Sequence, residues 1–185
     1  MAKLILSDST VERDACLLKM LELQREDFLA IFRLMSGRNV TIRLLDPPLS
    51  EFLPSSKSAN FNRDLNALAQ RLEMDYSTLK TRVINLQENN PMLGFRGCRI
   101  SIVHPEITVM QTTAIIEAAL QAQNEGFTVF PEIMIPLVSS DNENETVSAT
   151  INAAAERVFN AKAQYINYKI GCMIEVPRAC MRAER

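Results

Sequence analysis

The chain has 185 residues, 47% of them hydrophobic, with 20 basic and 22 acidic side chains and a formal net charge of −2. That balance excludes a disordered tail, a collagen-like repeat and a strongly basic nucleic-acid scaffold. No apolar stretch approaches the ~20 residues that span a bilayer, and the N-terminus lacks a secretory apolar core, so a cytoplasmic chain with no membrane partner is expected. The four cysteines (Cys16, Cys98, Cys172 and Cys180) match no paired zinc-ligand spacing, and His104 is the single histidine, which leaves ordinary thiols rather than a zinc site or a disulfide framework.

In chain order, Ser9-Thr-Val-Glu12 has the capping-box pattern that opens a helix. Apolar residues at helical spacing run from Leu17 to Met35, and Gly37 supplies the stop. A β-branched run from Val40 to Leu45 predicts a buried strand that ends at Asp46-Pro47-Pro48. Residues 50–60 read as loop, and Phe61 to Leu72 and Ser77 to Leu86 as a helical pair. A glycine-punctuated turn, Gly94-Phe-Arg-Gly97, leads into an apolar run over 98–103 that reads as a second strand. Pro105 then sits at the first position of an alanine-rich helix ending near Ala122, with His104 as a structural residue at its entry. A third strand is expected over 131–138, a polar loop over 139–146, a helix from Val147 to Lys162 and a fourth strand over 169–176.

Apolar strands separated by helices of this length point to an α/β class with a parallel sheet covered on both faces. Neither G-x-G-x-x-G nor a P-loop is present. A (β/α) barrel fits better, because charged residues recur at strand ends: Arg43 and Asp46, Arg96 and Arg99, Glu132, Glu175 and Arg178. Buried in an apolar strand, the Arg43 guanidinium must meet either an anionic ligand or a neighbour such as Asp46 or Glu51. Between Gly94 and Gly97, Arg96 is either an anion site with close backbone approach or a solvated turn. Glu175 needs a cation, a metal or a hydrogen-bond donor, with Arg178 and Lys169 as the local choices.

Four segments taken together resemble the C-terminal domain of the pyruvate, phosphate dikinase family: Val40-Thr-Ile-Arg-Leu-Leu-Asp-Pro-Pro-Leu-Ser-Glu-Phe-Leu-Pro54, Asn90-Pro-Met-Leu-Gly-Phe-Arg-Gly-Cys-Arg99, Pro131-Glu-Ile-Met-Ile-Pro-Leu-Val138 and Ile170-Gly-Cys-Met-Ile-Glu-Val-Pro-Arg-Ala179. The resemblance covers nearly the whole chain. It implies a (β/α)₈ barrel of which about four of eight strands are present here, spanning 1–185, with a helical insertion at about 55–90. It also implies a Mg²⁺-dependent phosphotransferase domain that binds phosphoenolpyruvate or pyruvate. The phosphoryl group is exchanged with a phosphohistidine on a separate domain, beside an ATP-binding domain, and the full-length family is expected to be homodimeric.

Residue by residue, the resemblance places Arg43 and Arg96 on the arginines that hold the substrate's phosphoryl group and Glu175 on the Mg²⁺-ligating glutamate. Phe95 and Ser50 stand where the family usually has histidine. The family's Gly-Leu-Cys-Arg-Thr-Glu, Gly-Thr-Asn-Asp-Leu and late Cys-Gly-Glu segments are absent from the 185 residues, and no catalytic acid is assigned. The chain is therefore expected to be a fragment or truncated product, inactive alone, with open sheet edges that favour self-association.

Three alternatives stay open. One is a non-catalytic binding or interaction module built from the barrel, and another is a phosphoenolpyruvate synthase-like relative. The third is a helix-turn-helix over 68–86 carrying Lys80 and Arg82, opposed by Glu73-Met74 in its turn and by the acidic chain; no nucleic-acid partner is expected.

Overall fold

The computed structural model describes residues 2–6, 10–46, 48–87 and 90–184. It divides into two compact units, residues 1–16 with 47–96, and residues 17–46 with 97–185. The capping box expected at Ser9 lies outside the described residues.

The first unit is helical. It contains α1 (Ala2–Leu6), the start of α2 (Thr10–Leu34), short 3-10 turns at Leu49–Phe52 and Pro91–Leu93, and a helical pair, α3 (Phe61–Leu72) and α4 (Tyr76–Asn85). Asp75 caps α4 by accepting the Thr78 N–H, and Glu73 makes the preceding turn in the left-handed region at φ 54°. The pair buries Leu65, Leu68, Leu79 and Val83 against Leu6 and Leu53.

The second unit carries the sheet: β1 (Asn39–Arg43), α5 (Cys98–Val103), α6 (Pro105–Asn124), β2 (Phe130–Ile135), α7 (Asp141–Lys162), β3 (Lys169–Cys172) and α8 (Pro177–Met181). Three parallel strands lie in the order β1-β2-β3, and the ladder runs on through Leu44 N–H to Met134 O and Met173 N–H to Ile135 O, both 2.9 Å. Ile42, Ile133 and Ile135 face a core with Phe32 of α2, Ile115 and Ile116 of α6, and Ile151 and Ala155 of α7.

Three expectations need correction. Residues 98–103 form a helix, not a strand: Gly97 at φ 58°, ψ −132° turns the chain sharply, and burial of Cys98, Ile100 and Ser101 against α6 and α7 overrides the β-branched run. The described sheet therefore has three strands rather than four. It is covered on one face only; Thr41, Arg43, Lys169 and Gly171 are exposed on the other. Finally, the polar stretch 139–146 is mostly helix. Ser140 and Glu143 make a reciprocal capping box, so α7 starts at Asp141, six residues earlier than its apolar pattern suggests.

Glu143 also accepts bonds from Ser139 N–H (2.8 Å), the Ser139 hydroxyl (2.8 Å) and Ser140 N–H (3.1 Å). Burial pushes its pKa up, but these bonds and the charge of Arg99 outweigh that and hold it below the ordinary 4.5. A carboxylate lowered on folding contributes stability that is fully present above its unfolded pKa and is lost as pH falls through the folded value. Glu143→Ala should therefore cost about 1 kcal/mol near neutral pH. The deficit should shrink on acidification below pH 4.5; urea unfolding at two pH values checks both.

Candidate functional site

Ligands of parallel α/β sheets collect at the carboxyl ends of the strands, and in the second unit charged groups stand at that end of β1 and just beyond β3. β1 ends on Arg43, and the chain runs on to Asp46, which is 5% exposed. Arg43 was expected inside the apolar strand. It is exposed instead, because alternate residues of β1 face opposite ways: Ile42 enters the core while Thr41 and Arg43 share the open face. Among the described residues of its own unit Arg43 makes no ion pair, so Asp46 does not neutralise it.

The open face has an ordered polar row one step below Arg43. Thr41, Glu132 and Lys169 are in register across the three strands. Glu132 accepts from the Thr41 hydroxyl (2.6 Å), Asn39 Nδ2 (2.8 Å) and Lys169 Nζ (3.4 Å). The Thr41 bond, helped by Lys169 and Asn39 against burial, keeps the Glu132 carboxyl below its usual range. Lys169 is thereby committed to Glu132 and not to Glu175. In the next row Arg43 aligns with Met134 and Gly171, and a Cβ at Gly171 would meet nothing within 4 Å. With strands about 4.8 Å apart, Arg43 and Gly171 bracket a floor on the order of 10 Å wide.

Glu175 follows β3, half-buried, and its Oε1 accepts the Leu137 N–H at 2.9 Å. Its donor is thus a backbone amide of the β2–α7 turn rather than Arg178 or Lys169. Leu137 holds a left-handed backbone at φ 58°, and its carbonyl accepts the Cys98 thiol at 3.1 Å, while Cys98 N–H reaches Pro136 O. Burial, then the charges of Glu143 and Asp46, push the Cys98 thiol up to about 11 against the opposing pull of Arg99. That thiol is an inert core group.

Gly97 was read as giving a ligand room to approach. Its neighbours are instead the chain's own: a Cβ there would lie 3.0 Å from Asp46 Oδ1 and 3.0 Å from Leu137 Cβ. Arg96 is the last residue of the first unit, half-buried, with its N–H on Gly94 O at 3.0 Å, and Phe95 is half-buried beside it. The Ser50 side chain lies outside the described residues. Arg43, the last residue of β1, and Glu175, which follows β3, thus stand at the same end of one sheet on either side of β2, while Arg96 belongs to the other unit.

A family model described as "PEP-utilising enzyme, PEP-binding domain" matches residues 8–185. The chain belongs to this family. It is 48% identical to pyruvate, phosphate dikinase of Giardia intestinalis over all of this chain and 20% of that protein. It is 46% identical to pyruvate, phosphate dikinase 1, chloroplastic, of Arabidopsis thaliana over 98% of this chain and 19% of that protein. Identity with pyruvate, phosphate dikinase of Rhizobium meliloti (strain 1021) is likewise 46%, over the whole chain and 20% of the relative. The chain spans about a fifth of the length of the curated relatives it matches.

As a member of the PEP-binding family the chain raises the question of a metal. Among the described residues no group of three His, Cys, Asp or Glu side chains is placed to hold one. Glu175 offers a single carboxylate, already steadied through Oε1. This fits one anchor for an octahedral cation that takes its other ligands from water and substrate oxygens, and does not fit a cage made by this chain alone. His104 enters α6 as its N-cap residue, with Nδ1 3.4 Å from Glu106. Among the described residues no helix is long and apolar enough to cross a membrane. Sequence reasoning missed Leu137, whose left-handed backbone no residue type announces. It also missed the Glu143 cap, although Ser-x-x-Glu was there to be read.

Proposed function

We propose that these 185 residues are part of a (β/α)₈ barrel that binds phosphoenolpyruvate or pyruvate, with residues 55–90 as a helical insertion. In this reading the barrel serves a cytoplasmic, homodimeric pyruvate, phosphate dikinase, whose overall reaction converts ATP, phosphate and pyruvate to AMP, diphosphate and phosphoenolpyruvate. Arg43 and Arg96 hold the substrate's phosphoryl oxygens, since a planar guanidinium matches two oxygens of a phosphate and meets the charge that a transferring phosphoryl group spreads over them. Glu175 anchors Mg²⁺, which supplies charge neutralisation on the substrate oxygens. The chain alone binds without turnover, because the phosphohistidine that exchanges the phosphoryl group belongs to another domain.

The observation that carries this reading is an arginine left exposed at the carboxyl end of a parallel strand, on the same sheet end as Glu175 and beside open space at Gly171. Calorimetric titration of the chain with phosphoenolpyruvate or oxalate should show binding only with Mg²⁺ present. Arg43→Ala should weaken it at least about tenfold, which corresponds to about 1.4 kcal/mol for one lost charge-assisted contact. Equal affinity in the variant, no magnesium-dependent binding by the unaltered chain, or pyruvate formation from phosphoenolpyruvate, AMP and diphosphate above background would each overturn part of this proposal.

A further inference from the structure

We infer that Glu175 is a positioning residue: by accepting the Leu137 N–H it holds the β2–α7 turn in the shape that seats the start of α5, whether or not it also meets a cation. Leu137 carries a branched side chain in the left-handed region, a conformation that persists only where its surroundings over-determine it. Each of its groups is engaged. Its amide hydrogen is taken by Glu175 Oε1 at 2.9 Å and its carbonyl by the Cys98 thiol at 3.1 Å. Its side chain lies against the bare Cα of Gly97, where any Cβ would approach Leu137 Cβ and Cδ1 at 3.0 and 3.1 Å.

The neighbouring Pro136 carbonyl takes Cys98 N–H, so one turn of chain supplies both contacts that fix the first residue of α5. Of these links only the one to Glu175 comes from the segment that follows β3, between Cys172 at the strand's end and Pro177 at the start of α8. The carboxylate therefore connects the end of the third strand to the helix that carries Arg99.

The test uses the 185-residue chain without metal or substrate. In Glu175→Ala the Leu137 amide should exchange with solvent at least about tenfold faster than in the unaltered chain. The Leu44 amide, bonded to Met134 O on the far side of β2, should stay within about twofold. Maleimide labelling of Cys98, followed by mass spectrometry, should accelerate in parallel, reporting the loosened start of α5. Glu175→Gln keeps an oxygen that can accept the Leu137 N–H and should restore both readings to within about threefold of the original.

A chain that fails to fold as Glu175→Ala but folds as Glu175→Gln leads to the same conclusion. Leu137→Gly relieves the left-handed strain, so Glu175→Ala in that background should lower the melting temperature by no more than half as much as in the original. Unchanged Leu137 exchange in Glu175→Ala, an equal loss in Glu175→Gln, or additive melting effects would overturn the inference. Magnesium affinity of the Glu175→Gln chain tests the metal role separately, since that variant removes the charge and keeps the acceptor.

Discussion

Gly97→Ala is expected to destabilise the chain by about 2–6 kcal/mol, combining left-handed strain of about 1–3 kcal/mol with overpacking of similar size. Gly97 lies at φ 58°, ψ −132°, a region open in practice only to glycine. The added carbon would also stand 3.0 Å from Asp46 Oδ1 and from Leu137 Cβ. Neither neighbour can step aside easily, because Asp46 is 5% exposed and Leu137 is fully buried. Gly126 and Gly37 are the internal controls: both have positive φ, at 92° and 79°, but a Cβ at either would meet nothing within 4 Å. Alanine there should cost only the backbone part, about 1 kcal/mol. At this chain length each kcal/mol moves the melting temperature by about 2–4 °C. Equal shifts at Gly97 and Gly126 would show that the strand ends do not converge on Gly97.

The same residues show what the sequence made legible. Local rules announced elements whose signals are local: Pro105 at the first position of α6, the apolar spacing of α3, and the β-branched run of β1 all lie where such rules put them. They failed where a distant partner decides. Cys98-Arg-Ile-Ser-Ile-Val103 has strand composition, yet it is helical because α6 and α7 offer a helix its buried face. Arg43 read as buried from its apolar neighbours, and only the pairing with β2 fixes which way the pleat turns it. A glutamate in an apolar run announced that Glu175 needs a partner, but no spacing rule names a backbone amide 38 residues earlier. Family motifs singled out Arg43, Arg96 and Glu175; the contacts of Glu175 and the exposure of Arg43 came from the fold.

Ile133→Ala should cost about 2–5 kcal/mol, whereas Met134→Ala, one residue along the same strand, should cost roughly 1 kcal/mol or less. Ile133 is 1% exposed and enters the core shared with α6 and α7, so truncation leaves a cavity that the surrounding helices cannot close. Met134 is half-buried on the opposite face, in the row of Arg43 and Gly171, where solvent can fill the vacated space. The comparison is sensitive to what covers the sheet. Parallel sheets in soluble proteins are covered on both faces, and their unpaired edges invite further strands. If the open face is satisfied by self-association in solution, Met134→Ala should approach the cost of Ile133→Ala at high protein concentration and fall away on dilution. Denaturant unfolding of both variants over a hundredfold concentration range separates the two cases: a difference that persists undiminished means an open sheet face in the isolated chain, and a difference that closes means that another surface completes it.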